Sequence, residues 1–325
     1  MRSAIHTTFG EPADVLKLND RPMPVPGAGE VRIKTLLSPI HNHDLWTIRG
    51  RYGYTPQLPA IGGSEAVGII DALGEGVEGL ATGQRVAVAS VQGTWAEYFL
   101  APAHLLVPVP KAICDETAAQ LIAMPLSALL LLEFLHAKPG QWIVQNTANG
   151  AVGKTLAILA AARGVNVLNL VRRDAAVDEL AASGIGHAIS TAESEWQERA
   201  RVTLGPGLAH AAIDSIGGVA SAELLGLLGQ DGTLVSFSMM AGEPVQIDTG
   251  ALIFKQATVK GFWASAVSRA LSASDKRRLI AELLHRTLAG ELTLPTEAIY
   301  DLANAAKAAA ASLQPGRKGK ILLGP

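Results

Sequence analysis

Residues 141–154 place the strongest constraint on how this chain folds. Trp142, Ile143 and Val144 suit a buried parallel strand, and the alanine-rich run over residues 155–162 has high helix propensity. Between these two runs lies a turn of small residues, namely Ala148, Asn149, Gly150, Ala151, Val152 and Gly153. Gly150 lets the backbone approach an anion, Gly153 lets the helix pack closely on the strand, and the new helix presents free N–H groups. The segment therefore predicts a strand, a pyrophosphate-binding turn and a helix, with Ala148 where a first glycine is usual.

Two arginines follow the next apolar run, which covers residues 165–171. An acidic residue at this place would accept hydrogen bonds from the 2′-hydroxyl of an adenosine ribose, whereas arginine complements a 2′-phosphate. Arg172 and Arg173 therefore favour NADP(H) over NAD(H). The structural alternative is a solvated charge cluster at a helix start, in which Asp174 pairs with both arginines.

The middle of the chain alternates short apolar strands with helical stretches. This βαβ rhythm predicts a doubly wound parallel sheet covered on both faces. The predicted strands cover residues 165–171, 187–190, 209–214 and 232–237. The predicted helices cover residues 174–183, 194–203 and 218–228.

The first part of the chain is β-rich instead. Residues 30–36, 66–73 and 85–89 read as short strands separated by glycine and proline turns, which favours a barrel or sandwich. After an apolar strand over residues 258–263, the chain continues with helices near 275–289 and 301–312 and a last strand over 319–323. We expect this tail to complete the first domain. The predicted domains are therefore residues 1–117 with 262–325, and an inserted nucleotide-binding domain over residues 118–261.

Composition excludes several other classes of protein. The 325 residues carry a formal net charge of -2, which gives no electrostatic signature for nucleic acid or an anionic membrane. A single cysteine excludes an internal disulfide framework and a cysteine-rich zinc module. The start of the chain is too polar for a signal peptide, and no apolar run approaches the length of a membrane span. The expected location is the cytoplasm.

Over nearly its whole length, the chain resembles the medium-chain dehydrogenase/reductase superfamily. Residues 59–68, which include Glu65, resemble its glycine–glutamate signature, and residues 214–218, which include Ser215, resemble the segment beside the nicotinamide. Within the superfamily, the chain is most similar to the zinc-free quinone oxidoreductases and the mitochondrial-type trans-2-enoyl-CoA reductases. The segments that carry this similarity are residues 50–53, 93–95, 145–146, 252–255 and 260–263. The resemblance implies an α/β protein in which a discontinuous GroES-like catalytic domain carries an inserted Rossmann domain.

The same resemblance places three possible zinc ligands at His41, Ser64 and Met124. Catalytic zinc takes about three protein ligands and keeps one open position, and serine and methionine are poor ligands for it. We therefore expect no metal. His41 and His43 leave residual metal binding as an alternative. His41 also replaces the asparagine that is usual in the related reductases, so it is a candidate for the substrate pocket.

Without zinc, the chemistry reduces to transfer of a hydride and a proton. Hydride addition to the β-carbon of an unsaturated carbonyl creates an enolate, which then needs a proton at the α-carbon. Tyr52 matches the residue that enoyl reductases of this branch use as the acid, on a loop flanked by Gly50 and Gly53. Tyr52 as an ordinary loop tyrosine, and Tyr54 as the acid, remain alternatives.

Trp95, Phe262 and Trp263 are the other aromatic residues predicted near the substrate. Only 5% of the chain is aromatic, so three aromatics at positions matching the family's substrate pocket are informative, although core packing is the simpler alternative. Asn146 either binds near the nicotinamide or caps the turn.

The sequence thus predicts an NADPH-dependent, zinc-independent reductase of an enoyl thioester. An NADPH:quinone oxidoreductase is the alternative, and a non-catalytic NADPH-binding protein of the crystallin type is a third. The strand over residues 258–263 predicts a homodimer joined through the edge of the Rossmann sheet, because an exposed apolar edge is an aggregation hazard in a monomer. Lys255, Lys260 and Arg269 are either phosphate contacts for a thioester carrier or solvated surface.

Overall fold

The computed structural model describes residues 1–325, which form two compact units. The first unit contains Met1–Ala123 and Ile280–Pro325, and the second contains Met124–Leu279. The first unit is therefore built from two separate stretches of chain, with the second unit inserted between them. The sequence places the domain boundaries at 117/118 and 261/262, whereas the compact units meet at 123/124 and 279/280.

Sixteen strands are numbered in chain order. They are β1 (Arg2–His6), β2 (Lys17–Asp20), β3 (Glu30–Pro39), β4 (Ala60–Ile61), β5 (Glu65–Leu73), β6 (Arg85–Ala89), β7 (Tyr98–Pro102), β8 (Val107–Pro108), β9 (Trp142–Gln145), β10 (Asn166–Val171), β11 (Ala188–Ser190), β12 (Ala209–Asp214), β13 (Leu228–Ser236), β14 (Thr258–Gly261), β15 (Thr296–Asp301) and β16 (Lys320–Gly324).

Twelve α-helices and two 3₁₀ turns complete the fold. The helices are α1 (Pro12–Val15), α2 (Asn42–Ile48), α3 (Asp115–Ala118), α4 (Ala123–Phe134), α5 (Ala151–Ala162), α6 (Ala175–Ala181), α7 (Trp196–Leu204), α8 (Val219–Gly226), α9 (Thr249–Phe254), α10 (Ala264–Ala270), α11 (Ala273–Leu288) and α12 (Ala305–Ser312). The 3₁₀ turns are Ala103–Leu105 and Leu302–Asn304. None of the helices has the length and apolar character that crossing a membrane requires.

The first unit is β-rich, as predicted. Its larger sheet has seven strands in the order β15-β16-β3-β5-β6-β8, with β7 also paired to β3. A smaller antiparallel sheet has the order β2-β1-β4. Apolar residues of β3, β5, β6 and β7 form one core cluster, and a second cluster joins α2 and α12 to β16. The tail of the chain belongs to the first unit because β16 pairs with β3.

The second unit contains the predicted parallel sheet. Its six strands lie in the order β11-β10-β9-β12-β13-β14, and every pairing is parallel. Counted within this unit the order is 3-2-1-4-5-6, which is the doubly wound Rossmann arrangement. The strand order reverses between β9 and β12, and ligands of such sheets bind at the carboxyl ends of the strands at this reversal.

Several predicted boundaries were wrong by a few residues. Strand β13 begins at Leu228 rather than at 232, because Leu228 already pairs with Ala209 of β12, ahead of a register shift that leads to Thr233 opposite Ala211. Helix α5 begins at Ala151 rather than at 155. The strand predicted over residues 258–263 ends at Gly261, and Trp263 is the N-cap of α10 instead of a strand residue.

Candidate functional sites

The turn between β9 and α5 has the geometry that an anion site requires. Gly150 is the N-cap of α5, so the N–H groups of the first turn have no partners within the helix. A Cβ atom at Gly153 would lie 2.7 Å from the carbonyl oxygen and 2.8 Å from the Cα of Ala148. Glycine at 153 is thus what allows the helix to start directly against the turn. Because these N–H groups are free and the glycines allow close approach, the turn fits the pyrophosphate of a dinucleotide.

A buried amide pair holds this turn to the neighbouring strand. Gln145 at the end of β9 donates through its Nε2 to the carbonyl oxygen of Gly153 at 2.9 Å and to Oδ1 of Asn169 at 2.7 Å. Asn169, in the middle of β10, donates in turn to the carbonyl oxygens of Val167 and Gly186. The position of the turn is therefore coupled to β10.

A second buried network lies where the strand order reverses. Asn146 donates to Oδ1 of Asp214 at 2.8 Å and accepts from the backbone N–H of Ser215 at 2.7 Å. The same Asp214 oxygen accepts from the N–H groups of Ile216 and Gly217, and its Oδ2 accepts from the Ser221 hydroxyl. Asn146 thus ties the end of β9 to the end of β12. The two predicted nicotinamide-side residues, Asn146 and Ser215, are brought together directly.

The two arginines at the end of β10 differ in their surroundings. Arg173 is partly buried and lies 3.4 Å from the carboxylate of Glu179 on α6. Arg172 is exposed and makes no ion pair in this structure. Because Arg173 is already partnered, Arg172 is the better placed of the two to pair with a 2′-phosphate.

In the first unit, a buried, hydrogen-bonded pair of side chains occupies the place where zinc ligands would fall. His41, at the N-cap of α2, and Glu65, at the start of β5, are both fully buried, and their Nε2 and Oε2 atoms are 2.7 Å apart. Oε1 of Glu65 accepts from the N–H groups of Ile122 and Ala123 at 2.7 and 2.8 Å. The carboxylate therefore holds the end of the 115–123 segment against β5.

Burial controls the ionisation of these groups. It raises the pKa of Glu65 to about 7, although the two backbone donors act in the opposite direction. Burial, with the nearby Lys320 ammonium, holds the pKa of His41 well below its usual value. Burial likewise lowers the pKa of Lys320 to about 8. Nδ1 of His41 is buried without a hydrogen-bond partner. Burying an unprotonated ring nitrogen in this way costs less free energy than burying an N–H group that cannot donate. We therefore assign His41 as neutral with its proton on Nε2.

A second chain of hydrogen bonds lies beside this pair. The Ser64 hydroxyl donates to Oδ1 of Asp44 at 2.6 Å, and Nε2 of His43 lies 2.7 Å from the same hydroxyl oxygen. A hydroxyl has one proton to donate, so Ser64 must accept from His43, which assigns the proton to Nε2 of His43. The ring of Tyr52 stacks on His43 with centroids 5.7 Å apart and 29° between the planes.

These donors do not fit a catalytic zinc ion. The hydroxyl of Ser64 is bonded to both His43 and Asp44, and both oxygens of Glu65 already have partners. No group of three or more His, Cys, Asp or Glu side chains in residues 1–325 is arranged to hold a metal ion.

Two of the other predicted pocket residues, Trp95 and Phe262, are buried, each in a different unit. Trp95 is fully buried in the core of the first unit, covers Gly62 and Gly63, and donates from its indole N–H to the carbonyl oxygen of Pro39. These are the contacts of a core residue, and its role in a pocket stays a prediction. Phe262 is buried in the second unit against Phe134 and Phe237.

The cationic residues named as phosphate contacts have structural partners. Lys255 donates to the carbonyl oxygens of Leu225 and Gly226 at the end of α8, which satisfies two carbonyls of a helix terminus. Lys260 lies over the ring of Phe134. Arg269 lies over the ring of Trp263, which is 42% exposed. Lys255 is therefore better described as a cap of the C-terminus of α8 than as a solvated surface lysine.

Sequence reasoning missed the roles of several polar residues. It noted His43 only as a possible metal ligand, and it gave no role to Asp44, Gln145 or Asp214. The dense run of polar groups from His41 to Asp44 was the available signal, since such a run within an otherwise apolar domain needs partners. Nothing local indicates that Ser64 is the partner of both His43 and Asp44.

Two family descriptions match the chain in the same order as its units. The alcohol dehydrogenase GroES-like domain matches residues 27–111, and the zinc-binding dehydrogenase domain matches residues 151–282. Together with the relatives below, they show that the chain belongs to the medium-chain dehydrogenase/reductase superfamily and is an oxidoreductase.

The particular relatives are of two kinds. A mitochondrial enoyl-[acyl-carrier-protein] reductase of Homo sapiens is 32% identical over 329 residues, which cover 99% of this chain and 88% of that protein. A quinone oxidoreductase structure from Pseudomonas syringae pv. Tomato DC3000 is 25% identical, with a TM-score of 0.90 and complete coverage of both chains. A mycobacterial structure in complex with NADPH is 28% identical, with a TM-score of 0.88 and complete coverage of both chains. The chain is thus similar to enoyl reductases and to quinone oxidoreductases.

Proposed function

We propose that this protein is an NADPH-dependent, zinc-independent reductase of an activated carbon–carbon double bond, most concretely that of a trans-2-enoyl thioester. The observation that carries the proposal is Tyr52, a phenol that stacks on a hydrogen-bonded histidine within the unit that lacks a zinc-type ligand set. The 32% identity to an enoyl-[acyl-carrier-protein] reductase over almost the whole chain supports the same substrate class.

The cofactor would be held by residues of the second unit. Gly150 and Gly153 let the N-terminus of α5 reach the pyrophosphate, and Arg172 would pair with the 2′-phosphate. Asn146 and Ser215 lie where the strand order reverses, and we assign them to the nicotinamide side. The mycobacterial relative solved with NADPH supports this cofactor.

The chain's own residues then account for the proton. NADPH, when bound, supplies a hydride to the β-carbon of the unsaturated thioester. The electron pair of the double bond moves onto the α-carbon and carbonyl oxygen, which forms an enolate. Tyr52 donates its phenolic proton to the α-carbon, and the resulting tyrosinate recovers a proton from water before the next turnover.

Substitution of Tyr52 tests this assignment. We expect Tyr52→Phe to abolish most NADPH-dependent reduction of crotonyl thioesters, because the proton donor is lost while the ring remains. Tyr54→Phe is the matched control, since Tyr54 lies on the same loop and is 43% exposed. NADPH oxidation should be followed for both variants with crotonyl-CoA and with quinones. Wild-type crotonyl reduction by Tyr52→Phe would refute the proposal.

Quinone reduction is the second candidate function, and the similarity to a quinone oxidoreductase structure favours it. A planar quinone accepts reducing equivalents without a dedicated acid. Turnover of quinones but not of enoyl thioesters, unaffected by Tyr52→Phe, would support this function. Tight NADPH binding with no turnover of either class would instead support the non-catalytic binding protein.

The side chains at the positions of the family's zinc ligands do not suit a catalytic zinc ion. Ser64 and Met124 stand at two of the three positions where the family's zinc ligands fall, and Glu65 is committed to His41 and to two backbone donors. Elemental analysis of the native protein checks this, because stoichiometric zinc would contradict the assignment. Full activity after dialysis against a chelator is the matching expectation.

We also propose a homodimer joined through β14. This strand ends the six-stranded sheet, and all four of its residues are exposed, including Val259. A free sheet edge leaves backbone N–H and C=O groups unpaired, and this favours pairing with a second copy. Val259→Asp should shift sedimentation toward the monomer, whereas Val202→Asp, on the exposed face of α7, should not. A wild-type monomer at micromolar concentration would contradict the proposal.

A further inference from the structure

Three aromatic rings of the first unit form one stack. His41 and His43 have ring centroids 5.0 Å apart with 21° between their planes, and His43 and Tyr52 follow at 5.7 Å and 29°. His41 is fully buried, and the side chain of His43 is 24% exposed. The stack therefore runs outward from the core of the unit, from His41 through His43 to Tyr52.

The middle ring of this stack is fixed by hydrogen bonds. Nε2 of His43 donates to Ser64, and Ser64 donates to Asp44. Asp44 is itself locked at the first turn of α2, because its Oδ2 accepts from the N–H of His41 at 2.9 Å. The inner ring is fixed independently by the bond from His41 to Glu65. Rotation of the His43 ring would break its partly buried hydrogen bond to Ser64, so the ring offers Tyr52 a rigid face.

We propose that His43 is the positioning residue of Tyr52, and that it acts through its ring face, which is held in place by Ser64 and Asp44. This inference rests on the proposed function of Tyr52 as the proton donor. His43 does not itself transfer the proton in this account. Its ring fixes the plane of the phenol, and thereby the place from which the phenolic proton is delivered.

The physical reason is the sensitivity of proton transfer to geometry. A misplacement of about 1 Å in a reacting group can cost roughly a hundredfold in rate. Tyr52 lies on a loop just beyond Gly50, whose φ of 70° is in the left-handed region, and the segment around residues 51–59 has no regular secondary structure. Ring stacking is worth about 0.5–1.5 kcal/mol, which is enough to favour one orientation of a loop side chain.

Substitutions at His43 separate the ring from the hydrogen bond. His43→Ala removes both, whereas His43→Phe keeps a stacking ring and loses the bond to Ser64. We expect His43→Ala to lower kcat for crotonyl thioester reduction about 10- to 100-fold with the KM for NADPH changed less than about twofold. His43→Phe should recover part of that loss, because the stacking ring is kept while the bond that holds it to Ser64 is lost. His104→Ala, in the 3₁₀ turn Ala103–Leu105, is the control for loss of a histidine and should match the wild type.

The double variant His43→Ala/Tyr52→Phe provides the readout that a general loss of structure would not give. If His43 acts only through Tyr52, then His43→Ala should have no further effect once the phenol is absent. Effects that add would overturn the inference and leave the role of Tyr52 intact. Equal losses in His43→Ala and His43→Phe would also overturn it, because the ring would then not be what matters. Near wild-type crotonyl reduction by Tyr52→Phe alone would overturn both the inference and the proposed function.

Discussion

Gly153→Ala tests the contact between α5 and the turn that precedes it. The added Cβ would lie 2.7–2.9 Å from three backbone atoms of Ala148, so no side-chain rotation relieves the overlap. Overpacking of this kind costs about 1–3 kcal/mol, and alanine in a helix recovers up to about 1 kcal/mol relative to glycine. Because the overlap is with three backbone atoms, we expect a cost in the upper part of this range, about 2–3 kcal/mol, and hence a net destabilisation of about 1–2 kcal/mol. In a unit of this size, that lowers the melting temperature by roughly 2–4 °C per kcal/mol.

The same substitution should also raise the Kd for NADPH, and by a larger factor than the loss of unfolding free energy alone would produce. The turn and the N-terminus of α5 must separate to admit the Cβ, and Gln145, which bonds to the carbonyl of Gly153, transmits the shift to β10. Thermal unfolding and NADPH titration by fluorescence give the two quantities.

Gly226→Ala is the matched control. Nothing lies within 4 Å of a Cβ at Gly226, which is also in a helix, so this change should leave stability equal or slightly higher. If Gly153→Ala matches the wild type in melting temperature and in NADPH affinity, the close approach of α5 to Ala148 is not what requires the glycine.

Three further outcomes are expected. Because the folded-state pKa of Glu65 is about 7, above its ordinary 4.5, the folded state holds its proton more tightly, and this stabilisation is lost as the pH rises from 4.5 to 7. Glutamine does not titrate, so the unfolding free energy of Glu65→Gln minus that of the wild type should be larger at pH 8 than at pH 5, by up to roughly 3 kcal/mol. Urea unfolding at the two pH values measures this difference, and an equal difference at both would refute the pKa shift. Arg172→Ala should raise the KM for NADPH about 10- to 100-fold with little effect on NADH, and Arg173→Ala should do less because Glu179 already pairs with Arg173; steady-state kinetics with both cofactors decides between them. Trp95→Ala should cost about 3–5 kcal/mol of unfolding free energy in calorimetry or urea, because the indole is fully buried, and a cost below about 1 kcal/mol would place Trp95 outside the core.

The sequence predicted the parallel sheet because buried parallel strands are mostly apolar runs without a polar–apolar alternation. Residues 166–171 and 209–214 are examples, and both were placed almost to the residue. The start of β13 was missed because its first residues include Gln230 and Asp231, which are exposed and have no apolar pattern. Trp263 was assigned to a strand because aromatic residues favour strands, whereas its backbone begins a helix.

The candidate site was only partly predictable, for a different reason. Local patterns show which residues are polar, but they do not show which polar groups meet. Ser64 lies 20 residues from Asp44 and 21 from His43, and Glu65 lies 24 from His41. These pairings are created by the crossing of β3, α2 and β5. The resemblance to the reductases identified Tyr52 as a candidate, but it did not identify His43, whose ring stacks on it.

The insertion of one unit within the other has a consequence for the order in which the protein is made. Strand β16 pairs with β3, with Leu322 opposite Pro39, so the larger sheet of the first unit cannot be completed before Lys320–Gly324 has been synthesised. The inserted unit is continuous over Met124–Leu279, and all of it leaves the ribosome earlier. During synthesis, the usual order in which N-terminal domains fold first is reversed here. Until β16 has been synthesised, Ser38 and Pro39 of β3 lack their partners in it, and a nascent chain that stalls near residue 300 carries a complete second unit and an incomplete first unit.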